Sequence, residues 1–183
     1  MCIRDRYIFA DLPDIGYSTD IDTVMASSYQ VKKQLQQIVK IEQPITNTLL
    51  YKRILRIWNL TRVTTRLQVF IDSLLEDAYK DPLSGDTIIY WENKEKAKEC
   101  DFYRINSKRD ILDIPILEVM SAARYAIEQQ ISMPIEDLKR LTSQLLGFSR
   151  KGNNLDMVTE QTIQLLINKG IFSHANGMVS MNN

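Results

Sequence analysis

The chain has 183 residues, 44% of them apolar and 25% charged, with Lys+Arg and Asp+Glu both numbering 23. That length allows one core or two small ones, and the composition, with few Gly and Pro, reads as an ordinary, mostly helical chain and argues against disorder. The balanced charge removes the strongest sequence argument for a nucleic-acid or anionic-membrane partner and leaves only a local basic face.

The opening "MCIRDR", Met1 to Arg6, resembles a translated adapter remnant. It is set aside from the fold argument, with the expectation that the chain is the tail of a larger protein; residues 1–27 are taken as an N-terminal segment. From Ser28 to Val39 the apolar positions Val31, Leu35, Ile38 and Val39 keep helical spacing. "EQPI" breaks the pattern at Pro44, and Thr46 or Asn47 is placed to cap a second helix carrying Leu49, Leu50, Ile54, Leu55 and Ile57. "NLT" turns the chain into a third helix with Leu67, Phe70, Ile71, Leu74 and Leu75 on one face. After the "DPLSGD" turn come two β-rich runs, "TIIYW" and "DFYRI", separated by the charged "ENKEKAKEC". Three helices followed by a two-stranded ribbon is the element order of a winged helix, expected over residues 28–106.

Residues 107–183 repeat that order after the connector "NSKRDILDIP". The connector is short and partly apolar, unlike a flexible linker, so the two units are expected to pack as a fairly rigid pair. Ile116 to Gln130 reads as a helix, "SMPIEDL" breaks and restarts the chain, and Leu138, Leu141, Leu145 and Leu146 form an apolar stripe. "GFSRKG" turns into a helix from about Asn153 to Lys169, and "GIFSHANGMVSM" is a hairpin turning at Asn176-Gly177. The duplication is direct: Asn59-Leu60-Thr61-Arg62 lies over Gly147-Phe148-Ser149-Arg150, and Leu67 over Leu155. Laying Pro44-Ile45 over Pro134-Ile135 makes the first copy's middle helix two residues longer. The expected fold class is mainly α with small β-hairpins (α+β), a tandem winged-helix (helix-turn-helix) repeat. Leu35, Leu55, Phe70 and Leu74 are expected to share one core, and Leu141, Leu145, Ile163 and Leu166 the other.

Catalytic chemistry has little to stand on. The one histidine, His174, sits beside a hairpin turn, and there is no phosphate-binding glycine loop, paired-cysteine metal motif or nucleophile motif. Glu76-Asp77 and Glu136-Asp137 sit at helix ends, where capping and solvation account for them. No enzyme, catalytic residue, metal or cofactor is expected. No apolar run reaches the roughly 18 residues of a membrane span, and no secretory signal is present. Cys2 and Cys100 stand apart from any metal pattern. A reduced, cytoplasmic setting without a membrane partner is therefore expected.

The repeated turn carries the candidate site. In a helix-turn-helix the last helix enters the major groove with its N-terminal residues nearest the bases, and Arg62 and Arg150 open that helix in the two copies. Around them stand Thr61, Thr64, Thr65 and Arg66 in the first copy and Ser149, Lys151, Asn153 and Asn154 in the second, all able to bond phosphates and base edges. The structural alternative makes Thr61 and Ser149 N-caps, with each arginine reaching back to a carboxylate or helix carbonyl. Lys52, Arg53 and Arg56 punctuate the middle helix, while Lys94, Lys96 and Lys98 are diluted by Glu92, Glu95 and Glu99. Tyr90 and Trp91 either stack on bases or pack on the helices behind them.

The stretches "IVKIEQPITNTLLYKRILRIWNLTRVTTRL", "RDILDIP", "PIEDLKRLTSQLLGFSRKGNNL" and "LINKGIF" resemble a bacterial domain of unknown function, the 3320 family, over about Ser28 to Met181. The resemblance implies a place at the C-terminus of large superfamily-one helicase-like proteins, after a helicase core and a nuclease-like domain. Those motor and nuclease motifs match nothing here, so no catalytic residue carries over. Two departures between the copies stand in the turn itself: Thr64 where the second has Gly152, and Asn59 where it has Gly147. The expectation is a non-catalytic C-terminal accessory module of a helicase-like DNA-processing protein, with DNA and the parent's upstream helicase and nuclease domains as partners. The alternative is a protein–protein docking module.

Overall fold

The computed structural model describes residues 3–16, 19–81, 87–98, 100–105 and 109–182. They fall into two compact units, one over Ile8–Glu99 and one made of the chain up to Tyr7 together with everything from Cys100 onward. Both are α+β, mainly helical, with a small antiparallel sheet of three strands. Among the described residues no helix is long and apolar enough to cross a membrane.

Strand β1 (Ile3–Arg6) belongs to the unit that resumes at Cys100. In the Ile8–Glu99 unit, α1 (Ile21–Ala26) starts at Asp20, whose carboxylate accepts the Thr23 amide. Helix α2 (Ser28–Glu42) buries Val31, Leu35, Ile38 and Val39. It stops two residues before Pro44, since the residue ahead of a proline is pushed out of the helical region. Strand β2 (Ile45–Thr46) leads into α3 (Asn47–Ile57), with the Thr46 hydroxyl accepting the Leu49 amide. Helix α4 (Thr65–Leu74) and strands β3 (Tyr79–Lys80) and β4 (Ile89–Trp91) follow, with β4 central in the order β2-β4-β3. Ile45 faces Tyr90, and Tyr79 faces Trp91. Helix α5 (Lys94–Lys98) closes the unit.

In the other unit, β5 (Phe102–Ile105) pairs in parallel with β1, Ile3 opposite Phe102. A 3-10 turn at Ile111–Asp113 leads to α6 (Ile116–Glu128), β6 (Met133–Pro134), α7 (Ile135–Leu145), α8 (Asn153–Asn168), β7 (Phe172–Ala175) and β8 (Met178–Met181). Its antiparallel sheet runs β6-β8-β7, the same order as in the first. Asn176 and Gly177, both at positive φ of 51° and 76°, make the expected tight turn of the β7–β8 hairpin.

Two expectations are corrected. The middle helices α3 and α7 have the same length, 11 residues, and β2 corresponds to β6. One constant shift therefore carries Ile45-Thr46 onto Met133-Pro134 and Thr65 onto Asn153, and aligning the prolines put the register two residues out. The ribbon of the first unit is β3 with β4, not "TIIYW" with "DFYRI". "DFYRI" became β5 of the other unit because its buried Tyr103 packs with Ile111, Ile114, Val119 and Ala122 and its edge pairs with β1. The "DPLSGD" turn is the ribbon's own connection; residues 82–86 of it lie outside the described residues, as do Asn106 to Lys108 of the connector.

The first core is centred on Leu35, Leu50, Ile54, Ile57, Leu67, Ile71 and Leu75. Leu55, Phe70 and Leu74, expected to share that core with Leu35, are half-buried. Ile163 and Leu166 are fully buried in the second core, with Leu141 and Leu145 packed against them. Two buried ionic clusters tie segments to these cores. Arg53 Nε donates to Glu42 Oε1 at 2.9 Å and its Nη2 to the Ala10 carbonyl at 2.6 Å. In the second unit Glu118, fully buried, accepts from Arg104 Nε at 3.1 Å and from Arg109 Nη1 at 3.0 Å, and the Tyr7 ring lies under both guanidiniums. Burial alone would raise the Glu118 carboxyl, but Arg104 and Arg109 outweigh it and hold it below its ordinary value.

Candidate nucleic-acid interface

The two turns leave their helices alike, down to single backbone hydrogen bonds. Asn59 and Gly147 both take the left-handed region, φ 48° and 90°, where glycine or asparagine ends a helix at least cost. Beyond them the Leu60 amide reaches the Leu55 carbonyl at 2.9 Å, and the Phe148 amide reaches Ser143 at 3.0 Å. The chain then runs out through Thr61-Arg62 and Ser149-Arg150 and enters α4 and α8. The N-caps are Thr64, whose hydroxyl accepts the Leu67 amide at 3.2 Å, and Gly152, which offers no side chain. Thr61 and Ser149 are therefore not the caps. The caps fall at one of the two departures between the copies, Thr64 against Gly152.

Below each turn a polar joint holds the second helix against the third. In the first unit the Tyr51 hydroxyl donates to Asp72 at 2.8 Å and the Tyr90 hydroxyl to the same carboxylate at 3.1 Å. Burial, then Asp72, pushes both phenols well above the ordinary tyrosine value. In the second unit the corresponding positions are Lys139 and Glu160. The Lys139 ammonium lies 3.0 Å from Glu160, 2.8 Å from Asp156 and 3.4 Å from Glu136. Burial would lower its pKa, but Asp156, Glu160 and Glu136 outweigh that and raise it. The joint was hidden in the sequence because a register two residues out lays Tyr51 over Leu141 instead of Lys139.

Arg62 and Arg150 are exposed, and neither makes a hydrogen bond or ion pair among the described residues. The pinned arginine of the structural alternative is thus not what stands at either turn. Arg66 is tied to Asp22 at 2.7 Å while remaining 56% exposed. Thr64 is half-buried by its capping role, and Thr65 is exposed at the first position of α4. Ser149, Lys151, Asn153 and Asn154 are all exposed. With Arg150 and Gly152, three of these residues (Ser149, Lys151 and Asn153) line one wall of a cleft of about 610 Å³, whose other wall is α7 with Arg140 and Ser143. Arg140 is held by Asp137 at 2.9 Å. That leaves Arg150 and Lys151 as the cleft's untied cations among the described residues.

The other basic and aromatic candidates do not join this surface. Arg53 is buried against Glu42, and Tyr90 and Trp91 are buried with the Trp91 indole donating to Asp81 at 3.2 Å. Lys94, Lys96 and Lys98 decorate α5, a short exposed helix. His174 is exposed on β7.

Residues 25–69 match the model of a family described as a protein of unknown function (DUF3320). The matched stretch runs from α1 through the first turn into α4, so it takes in Arg62, Thr64, Thr65 and Arg66 and leaves out the second copy. No curated protein and no solved structure matches the chain.

Proposed function

We propose that each unit is a winged helix and that the pair forms a non-catalytic accessory module binding duplex or junction DNA at the two repeated turns. The winged-helix assignment is supported by the shared order of helix, strand, helix, helix, strand, strand, with the last strand central in both sheets. The observation that carries the DNA reading is the pair of exposed, untied arginines, Arg62 and Arg150, each ahead of the third helix at the same step of a duplicated turn. An arginine held away from every carboxylate keeps its donors for phosphate oxygens or a guanine edge. The resemblance set out above supports a place beside the motor of a larger helicase-like, DNA-processing protein, which this module would hold on its substrate. Fluorescence anisotropy on a labelled duplex tests the reading: Arg62→Ala and Arg150→Ala each weaken binding and leave the melting temperature unchanged. A variant that melts earlier and binds as before would return the arginines to a structural role.

Docking on a protein is the second reading, favoured by a separate observation. Val69 on α4 and Met157 on α8 occupy matching positions and are 65% and 45% exposed. Absence of duplex binding even at low salt, with Val69→Ser and Met157→Ser raising solubility, would decide for docking.

A further inference from the structure

Resting on that DNA reading, we propose that α8 is the base-reading element and prefers A·T pairs through Asn154, Met157 and Gln161, while α4 contributes only to holding the backbone. The three side chains recur at intervals of three and four residues and so share one helix face, and all three are exposed. The side chains of Asn154 and Gln161 make no hydrogen bond among the described residues. The face is uncharged: α8 has no lysine or arginine, and its two carboxylates, Asp156 and Glu160, are drawn to Lys139 at 2.8 and 3.0 Å. Phosphate contacts fall instead to Arg150 and Lys151, just ahead of the helix.

A carboxamide sets a donor beside an acceptor, the complement of the adenine edge in the major groove, and an apolar side chain meets the thymine methyl. The flexible thioether of Met157 suits that second contact. From Asn154 to Gln161 the helix rises about 10 Å, the length of about three base-pair steps. The equivalent positions of α4 are Arg66, Val69 and Ser73. Arg66 is tied to Asp22, and the Ser73 hydroxyl donates to the Phe70 carbonyl at 2.7 Å. That face has no amide and little free polar capacity.

Selection by the full chain from a pool of short randomised duplexes should enrich two adenines about three base pairs apart. The double variant Asn154→Ala/Gln161→Ala should lose that preference, by about tenfold for each pair. Its melting temperature should not change, and it should bind the selected duplex no better than the unselected pool. Binding without enrichment, or enrichment that the double variant retains, overturns the base-reading assignment and leaves the DNA reading standing on Arg62 and Arg150. Loss of all duplex binding in the double variant also overturns it, because the amides would then be general contacts. No binding to any duplex at low salt overturns both and gives this face to a protein partner.

Discussion

At Asp72 two phenols converge on one carboxylate, and each hydrogen bond requires its tyrosine to keep its proton. Tyr51 and Tyr90 have folded-state pKa values above the ordinary value of 10. Their stabilising contribution is therefore complete below about pH 10 and is lost as the pH rises beyond it, where the unfolded chain ionises first. In an alkaline titration followed by tyrosinate absorbance, two of the eight tyrosines should stay protonated until the first unit unfolds. Asp72→Asn should bring both down towards the rest without making them ordinary, because burial, the larger cause, remains. Glu118 has the opposite sign: its folded pKa lies below 4.5, so its contribution is present above that pH and is lost as the pH falls. Glu118→Gln strands two buried guanidiniums, and denaturant unfolding should show a loss of about 3–5 kcal/mol. Neither centre was legible in the sequence. Glu118 reads there as one more polar position in a helix, and only Arg104 from β5 together with Arg109 gives it a reason to be buried.

The elements were more legible than their pairings. Periodicity and caps located α2, α3, α4, α6, α7 and α8, because apolar spacing, Thr46 and the interrupting prolines are local signals. The ribbon of the first unit was misread because "DFYRI" has the pattern of a strand, and pattern does not say which edge a strand joins; the whole of the Ile8–Glu99 unit separates it along the chain from its partner β1. The turns repaid local reading best. Asn59 over Gly147 was visible as a departure between copies, and both proved to be the left-handed residue. Gly147→Ala forces a Cβ into that region and should cost about 1–2 kcal/mol, whereas Asn59→Gly should change thermal stability by no more than a few tenths of a kcal/mol either way.

At the scale of the molecule, the two copies keep one topology with different polar joints. Ile163→Ala, at the fully buried centre of the second core, should cost about 2–5 kcal/mol in denaturant unfolding. Each phosphate contact contributes a slope of about −0.9 to log affinity against log salt. With Arg66 held by Asp22, the untied cations of the two turns are Arg62, Arg150 and Lys151, so the full chain should show a slope of about −3 on duplex DNA. A much steeper slope would mean that cations distant in sequence join the surface, and a flat one would remove DNA from the account.

The exchange of Thr64 for Gly152 also gives the two halves different clocks. At the start of α4 a hydroxyl occupies the Leu67 amide, while at the start of α8 no side chain does this for Leu155. An uncapped first turn frays more readily. In deuterated water the amides from Asn153 to Leu155 should therefore take up label sooner than those from Thr65 to Leu67.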